Sequence, residues 1–182
     1  MNLPEFLPTE RLVLRRWRDA DRAPFMAMNS DPTVMEYMPS VLSHAESDAM
    51  VDRIRLHFEQ HGFGLWVVEL SGEAPFVGYV GLSAPSFDAH FTPAVEISWR
   101  LDVRFWRRGI VTEAASACVA FAFDDLGLAE LVSFTVPGNV RSRRVMERLG
   151  FTTRAADDFD HPLLPEGHPL RRHVLYRLAR PR

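Results

Sequence analysis

The chain is 182 residues long, 47% hydrophobic and 25% charged, a balance that suits one globular domain over residues 1–182 with a sizeable core. A formal net charge of −3 gives no bulk electrostatic reason to bind nucleic acid, and no apolar run approaches the ~20 residues a membrane span needs. Cys118 stands alone, which excludes an internal disulfide, and Met1–Glu5 lacks the basic start and apolar stretch of a secretion signal, so a cytoplasmic protein is expected.

Residues 11–17 (Arg-Leu-Val-Leu-Arg-Arg-Trp) alternate at period two and predict a half-buried first strand. Asp19 or Asp21 then caps a helix through Met28, stopped near Asn29 and before Pro32. A second helix is expected from Ser43 to His61, ending at Gly62, with Met50, Val51, Ile54 and Phe58 at helical spacing. Three strands follow, Phe63–Leu70, Pro75–Leu82 and Ala94–Leu101, the first turn marked by Ser71-Gly72-Glu73 and the second loop by Pro85 and Pro93. A helix over Ile110–Leu126 presents Val111, Ala115, Cys118, Val119 and Ala122 on one face. Then come a strand (Leu131–Val136), a helix (Val140–Leu149) and a last strand over His173–Leu178. The order β-α-α-β-β-β-α-β-α-β predicts an α/β domain: an antiparallel meander, then a β-α-β unit, in a mixed sheet flanked by helices.

The stretch from Ser98 to Ala114 carries the chemistry. A strand ends, a short basic loop follows, and a helix begins at Gly109. A helix start exposes unsatisfied N–H groups and the positive end of the dipole, a natural seat for a pyrophosphate. Gly109 allows close backbone approach, and Arg107 and Arg108 add charge beside it; a plain turn with solvated arginines is the simpler alternative. In the next β-α unit, Asn139 either caps the helix or offers its amide to a ligand lying between two diverging strands.

Together these stretches resemble the GNAT superfamily of N-acetyltransferases, most closely its RimJ/RimL-type branch, which acetylates N-terminal amines of ribosomal proteins. Thr9–Arg15 is similar to the branch's opening strand, Ala94–Trp99 to its fourth strand, Phe105–Ala114 to its cofactor loop, and Asn139, Ser142 and Glu147–Phe151 to its final helix. The resemblance covers nearly the whole chain and implies a single-domain, mostly antiparallel sheet with splayed central strands. It further implies acetyl-CoA as cosubstrate and no metal. Backbone groups of Trp99 to Leu101 would pair with the pantetheine arm. The turn of Arg107, Arg108, Gly109, Ile110, Val111 and Thr112 would hold the pyrophosphate, and Asn139 and Ser142 would lie beside the pantetheine. Two positions depart from the family pattern: Val111 stands where a small residue is usual, and Met146 where many members carry a thiolate-protonating tyrosine.

Acetyl transfer needs a neutral amine. An α-amino group has an ordinary pKa of roughly 8 against roughly 10.4 for lysine, so a peptide N-terminus needs the lesser help. Glu96, on the strand expected to border the acetyl group, is the candidate general base, acting directly or through a water; an acid on the outer side of the strand is the alternative. Ser142 is a candidate donor to the departing thiolate, with helix-start solvation as its other explanation. Tyr37, within the methionine-rich segment holding Met26, Met28, Met35 and Met38, and Glu96 are the candidate acceptor-binding residues.

Cys118 reads as core, and His161, His168 and His173 match no familiar zinc spacing. Residues 159–169 read as an ordered loop before the last strand. The sequence contains no lysine, every cation being arginine or a protonated histidine, so the chain cannot acetylate itself on a lysine side chain. Three functions compete: a protein or peptide N-terminal acetyltransferase, an acetyltransferase for small amines such as antibiotics, polyamines or amino acids, and a CoA-binding regulatory domain without turnover. The expected partners are acetyl-CoA and an amine acceptor, with no nucleic acid and no membrane; a homodimer is left open.

Overall fold

The computed structural model describes residues 5–181. The N-terminal Met1–Pro4, read above for a targeting segment, lies outside the described residues. Nine strands form the sheet: β1 (Phe6–Pro8), β2 (Leu12–Arg15), β3 (Leu65–Leu70), β4 (Ala74–Ser83), β5 (Glu96–Leu101), β6 (Glu130–Thr135), β7 (Thr152–Thr153), β8 (Phe159–Asp160) and β9 (Arg172–Ala179). The helices are α1 (Arg22–Asn29), α2 (His44–His61), α3 (Ile110–Asp124) and α4 (Val140–Arg148). Strand order is β1-β2-β3-β4-β5-β6-β9-β7, with β8 on β9; every neighbouring pair is antiparallel except β5 with β6. All eight further elements expected from the sequence are present beside the β2 and α1 segments; β1, β7 and β8 are too short to carry a pattern.

Each terminus of α2 is written in its residues. Ser43 accepts from the Glu46 N–H (3.3 Å) while the Glu46 carboxylate accepts from the Ser43 N–H (2.8 Å), a reciprocal cap. At the other end Gly62 adopts φ 76° and its N–H closes on the Phe58 carbonyl at 2.8 Å. The expected cap on α1 is different. Neither Asp19 nor Asp21 caps it through its side chain. Asp21 is instead buried in a two-pronged ion pair with Arg15 (2.8 and 2.9 Å), and Arg15 also reaches Glu69 at 2.8 Å and the Pro75 carbonyl at 2.7 Å. The charge-paired arginine thus ties β2, β3, β4 and the start of α1 together.

Alternation assigns the two faces of the sheet. Trp66, paired with Val80, meets Phe121 of α3 at 5.4 Å between ring centroids, whereas Tyr79, paired with Val67, meets Phe25 of α1 at 6.1 Å on the opposite face. On α3 the buried side is Ile110, Ala114, Ala115, Cys118, Phe121 and Ala122, with Phe123; Val111 and Val119, expected in the core, are only half-buried. A second apolar cluster (Phe91, Val132, Phe159 and Leu175) is roofed by the loops before β5 and before β9. The segment read as an ordered loop begins as β8 paired with β9 and returns through tight turns at His161–Leu164 and Pro165–His168.

Candidate active site

Helix α3 starts bare. Its N-cap is Gly109 at φ 77°, with no side-chain cap; the Glu113 N–H is the first to find a carbonyl, that of Gly109 at 3.1 Å. The N–H groups of Ile110, Val111 and Thr112 are left without helical partners, and the dipole's positive end faces the same way. Arg107, just before the glycine, takes φ 62° and is the one non-glycine in the left-handed region among the described residues.

The strand leading to this turn parts from its neighbour. Pairing between β5 and β6 is limited to Glu96 with Val132. Two bonds close that junction, Val132 N–H to the Val95 carbonyl (3.0 Å) and Ser133 hydroxyl to the Ile97 carbonyl (2.9 Å). The Asp102 N–H donates to Val77 of β4, so even-numbered residues of β5 direct their backbone groups at β4 and odd-numbered ones at the gap. Trp99 and Leu101 therefore present polar backbone to a cleft with no strand in it. The Trp106 indole N–H takes the Leu101 carbonyl at 2.9 Å, leaving the N–H and C=O of Trp99 and the N–H of Leu101. Close approach of β4 to β5 on the other side depends on Gly78 (φ 141°), where a Cβ would stand 2.2 Å from the Arg100 carbonyl oxygen.

The gap and the turn share one cavity of about 490 Å³. Its walls include Trp99, Leu101, Trp106, Gly109–Thr112, Asn139 and Ser142, with Val34, Tyr37 and Met38 closing one end. Five arginines line it: Arg100, Arg107, Arg141, Arg144 and Arg148. No aspartate or glutamate among the described residues does. In a chain of net charge −3 this is a local concentration of positive charge, suited to a ligand carrying several negative charges. Among the described residues only Arg141 of these five has an acidic partner, Glu36 at 2.5 Å; its guanidinium also stacks on Trp106 (4.6 Å) and Tyr37 (5.5 Å). Arg100 is held by Asn29 Oδ1 at 2.7 Å, and Asn29, fully buried, donates in turn to Ser47 at 3.1 Å.

Side chains of Glu96, Ser98 and Arg100 share the α1 face with their β4 partners Ser83, Gly81 and Tyr79. Glu96 sits where the strands close, in register with Val132 of the second apolar cluster. Its carboxylate has no hydrogen-bond partner among the described residues, and it is half-buried. Desolvation pushes its pKa from 4.5 up to about 8. His161 and His173 join the same cluster, ring centroids 5.1 Å apart, and desolvation lowers both below the ordinary histidine range. Among the described residues no group of three or more His, Cys, Asp or Glu comes together as a metal site.

Of the residues singled out in the sequence, Tyr37, Trp99, Leu101, Arg107, Gly109, Ile110, Val111, Thr112, Asn139 and Ser142 all border the cavity. Arg108 does not: its guanidinium turns away to Glu73 (2.6 and 2.7 Å), so only its backbone remains near the turn. Glu96 lies beyond the cavity wall, three residues along β5 from Trp99. Asn139 caps α4 by accepting the Ser142 N–H (3.2 Å) and donates its amide to Thr135 (3.0 Å). Met146 is buried in the core, and Tyr37 and Met38 separate from Met28 and Met35, which are core. Sequence reasoning missed Arg100, Arg141, Arg144 and Arg148. The last three recur at helical spacing, i, i+3 and i+7, a stripe that could have been read.

The profile described as acetyltransferase (GNAT) domain matches residues 11–152. An FsC-acetyl coenzyme A-N(2)-transacetylase from Aspergillus fumigatus is 32% identical over 157 residues, covering 80% of this chain and 64% of that one. Among solved structures, an acetyltransferase from Agrobacterium tumefaciens superposes with a TM-score of 0.79 at 27% identity, over 99% of this chain and 96% of the other. A RimL ribosomal L7/L12 alpha-N-protein acetyltransferase in complex with coenzyme A gives 0.76 at 17% identity, over 96% and 98%.

Proposed function

The chain belongs to the GNAT acetyltransferase family and is an acyltransferase, and from that premise we propose that it transfers acetyl from acetyl-CoA to the α-amine of a protein or peptide N-terminus. The observation that carries the donor assignment is the cavity lined by five arginines and no carboxylate, opening on the bare start of α3. Pyrophosphate fits the N–H groups of Gly109 to Thr112 with Arg107 beside them. The pantetheine arm, an amide-bearing chain, fits the unpaired backbone of Trp99 and Leu101 as an added strand. Running along the gap, it reaches its limit where β5 and β6 close, which is where Glu96 stands.

Acetyl-CoA supplies the thioester. The amine lone pair attacks its carbonyl carbon; the C–N bond forms, the C–S bond breaks, and the thiol departs with one proton. Glu96 accepts the proton the ammonium must lose before attack, directly or through a water. Desolvation raises its affinity for that proton, and an α-ammonium, ordinarily about 8, gives the proton up more readily than a lysine at about 10.4. Catalysis uses neither Cys118, buried on α3, nor Met146. A thiolate with an ordinary pKa of about 8.5 needs little help to leave; Ser142, which borders the cavity, is the candidate donor.

The test is thiol release from acetyl-CoA by purified protein, across peptides of varied N-terminal residue and a panel of small amines. Release that depends on a free peptide α-amine is expected. Release with small amines alone would overturn the peptide acceptor while keeping acetyl transfer, and stabilisation by CoA without turnover on any acceptor would make the chain a CoA-binding regulatory domain.

A further inference from the structure

The phosphate turn is held by residues far from it in sequence. Arg107 keeps a left-handed backbone, which a non-glycine residue sustains only where its surroundings over-determine it. Those surroundings are visible behind the turn. Arg11, at the end of the β1–β2 connection, donates from both terminal nitrogens to the Arg108 carbonyl (3.2 Å each). Its backbone N–H and Nε donate to the two carboxylate oxygens of Glu113, in the first turn of α3, at 2.9 and 2.7 Å. Thr9 adds its hydroxyl to the same carboxylate at 2.6 Å. Arg108 is fixed a second time by its two-pronged pair with Glu73.

Peptide geometry turns this brace into a functional statement. Across a trans peptide the carbonyl and the next N–H point in opposite directions. With the Arg108 carbonyl taken by Arg11, the Gly109 N–H must face the other way, and the other way is the cavity that Gly109 lines. Arg11 itself does not border the cavity; it packs beneath the turn, with Nη2 3.5 Å from where a Gly109 Cβ would be.

We infer that Arg11 and Glu113 are positioning residues for the cofactor: clamped to each other and to the Arg108 carbonyl, they preset the Arg107–Gly109 backbone so that its N–H groups meet the pyrophosphate without reordering. This rests on the reading of the turn as a CoA phosphate site. It makes a counter-intuitive demand on Glu113. Judged by charge alone, removing a carboxylate one turn from a phosphate should tighten CoA binding; as part of the brace, it should weaken it.

The experiment is calorimetric titration of CoA, and of pantetheine as a probe lacking phosphates, into the unaltered chain, Glu113→Gln and Arg11→Lys. Arg11→Lys keeps the charge and loses the fork. Both variants should bind CoA about tenfold more weakly, the change that 1.4 kcal/mol produces, with pantetheine binding unmoved. A Glu113→Gln chain that binds CoA as tightly as the unaltered one, or more tightly, overturns the inference, and so does an equal loss for pantetheine. If the unaltered chain binds no CoA, it is the donor assignment that fails instead.

Discussion

Replacing Glu96 by glutamine preserves size and removes the charge, so it isolates what ionisation of this residue costs and does. The carboxyl is raised from 4.5 to about 8 by desolvation. At about 1.36 kcal/mol per pH unit the full shift corresponds to about 5 kcal/mol, and water reaching the half-buried side chain brings the expected effect to about 2 kcal/mol. The folded pKa lies above the unfolded one, so the folded state holds this proton more tightly. Stability from Glu96 is fully present below about pH 4.5, declines as pH rises, and is gone above about 8. Urea unfolding of the two proteins across pH 5 to 9 should show Glu96→Gln gaining about 2 kcal/mol on the unaltered chain over that range. Activity should move the opposite way, kcat/KM falling about 10²–10⁴-fold. An acceptor α-amine titrates in the same range as Glu96, so a pH–rate limb cannot separate them; the unfolding curves, taken without acceptor, can. Parallel stability curves would refute the desolvated carboxyl, and an unchanged rate would refute the base.

Gly78→Ala should cost about 3 kcal/mol or more in urea unfolding, because its Cβ would lie 2.2 Å from the Arg100 oxygen at a φ of 141°; a neutral substitution would mean β4 and β5 do not approach so closely. Arg144→Ala combined with Arg148→Ala should weaken CoA severalfold and flatten the salt dependence of its binding, since both line the cavity without an acidic partner among the described residues; salt titration of the CoA dissociation constant checks it. Cys118, fully buried with its thiol pKa pushed up by desolvation, should resist a thiol reagent in the folded protein and react at once in urea; prompt labelling of the folded chain would contradict its place in the core.

The long elements were legible because each carries its own signal. The Ser43–Glu46 cap, the Gly62 stop and the alternation in β2 are local facts, and local facts survive folding. Asp21 shows where such reading ends. An aspartate before an apolar helix looks like a cap, yet Arg15 lies six residues upstream and claims the carboxylate in a buried pair whose value depends on Glu69 and Pro75 from the next two strands. Nothing in the 15–22 segment announces those partners. Strands of two or three residues such as β7 and β8 are equally silent, since they exist only because β9 is there to pair with.

Position of the candidate site was legible through its one local mark, a glycine opening a helix after a basic loop. The resemblance implied that the backbone of Trp99 to Leu101 meets the pantetheine arm, but which face each β5 side chain takes was not legible, because it arises from register. On β5, odd residues aim backbone at the gap and pack side chains toward α3, while even residues aim backbone at β4 and send Glu96, Ser98 and Arg100 toward α1. Under the proposed function one strand serves two ligands, offering the peptide groups of Trp99 and Leu101 to the donor and the Glu96 side chain to the acceptor. The same register explains why the acid and the arginines do not cancel. Glu96 is four residues from Arg100, about 13 Å along the strand, and it sits in register with Val132 of the second apolar cluster, where burial desolvates it, rather than among the arginines. A carboxylate placed among the five arginines would be a poor base at any physiological pH. Kept at the closed end of the gap, it retains the affinity for a proton that the proposed role of base requires.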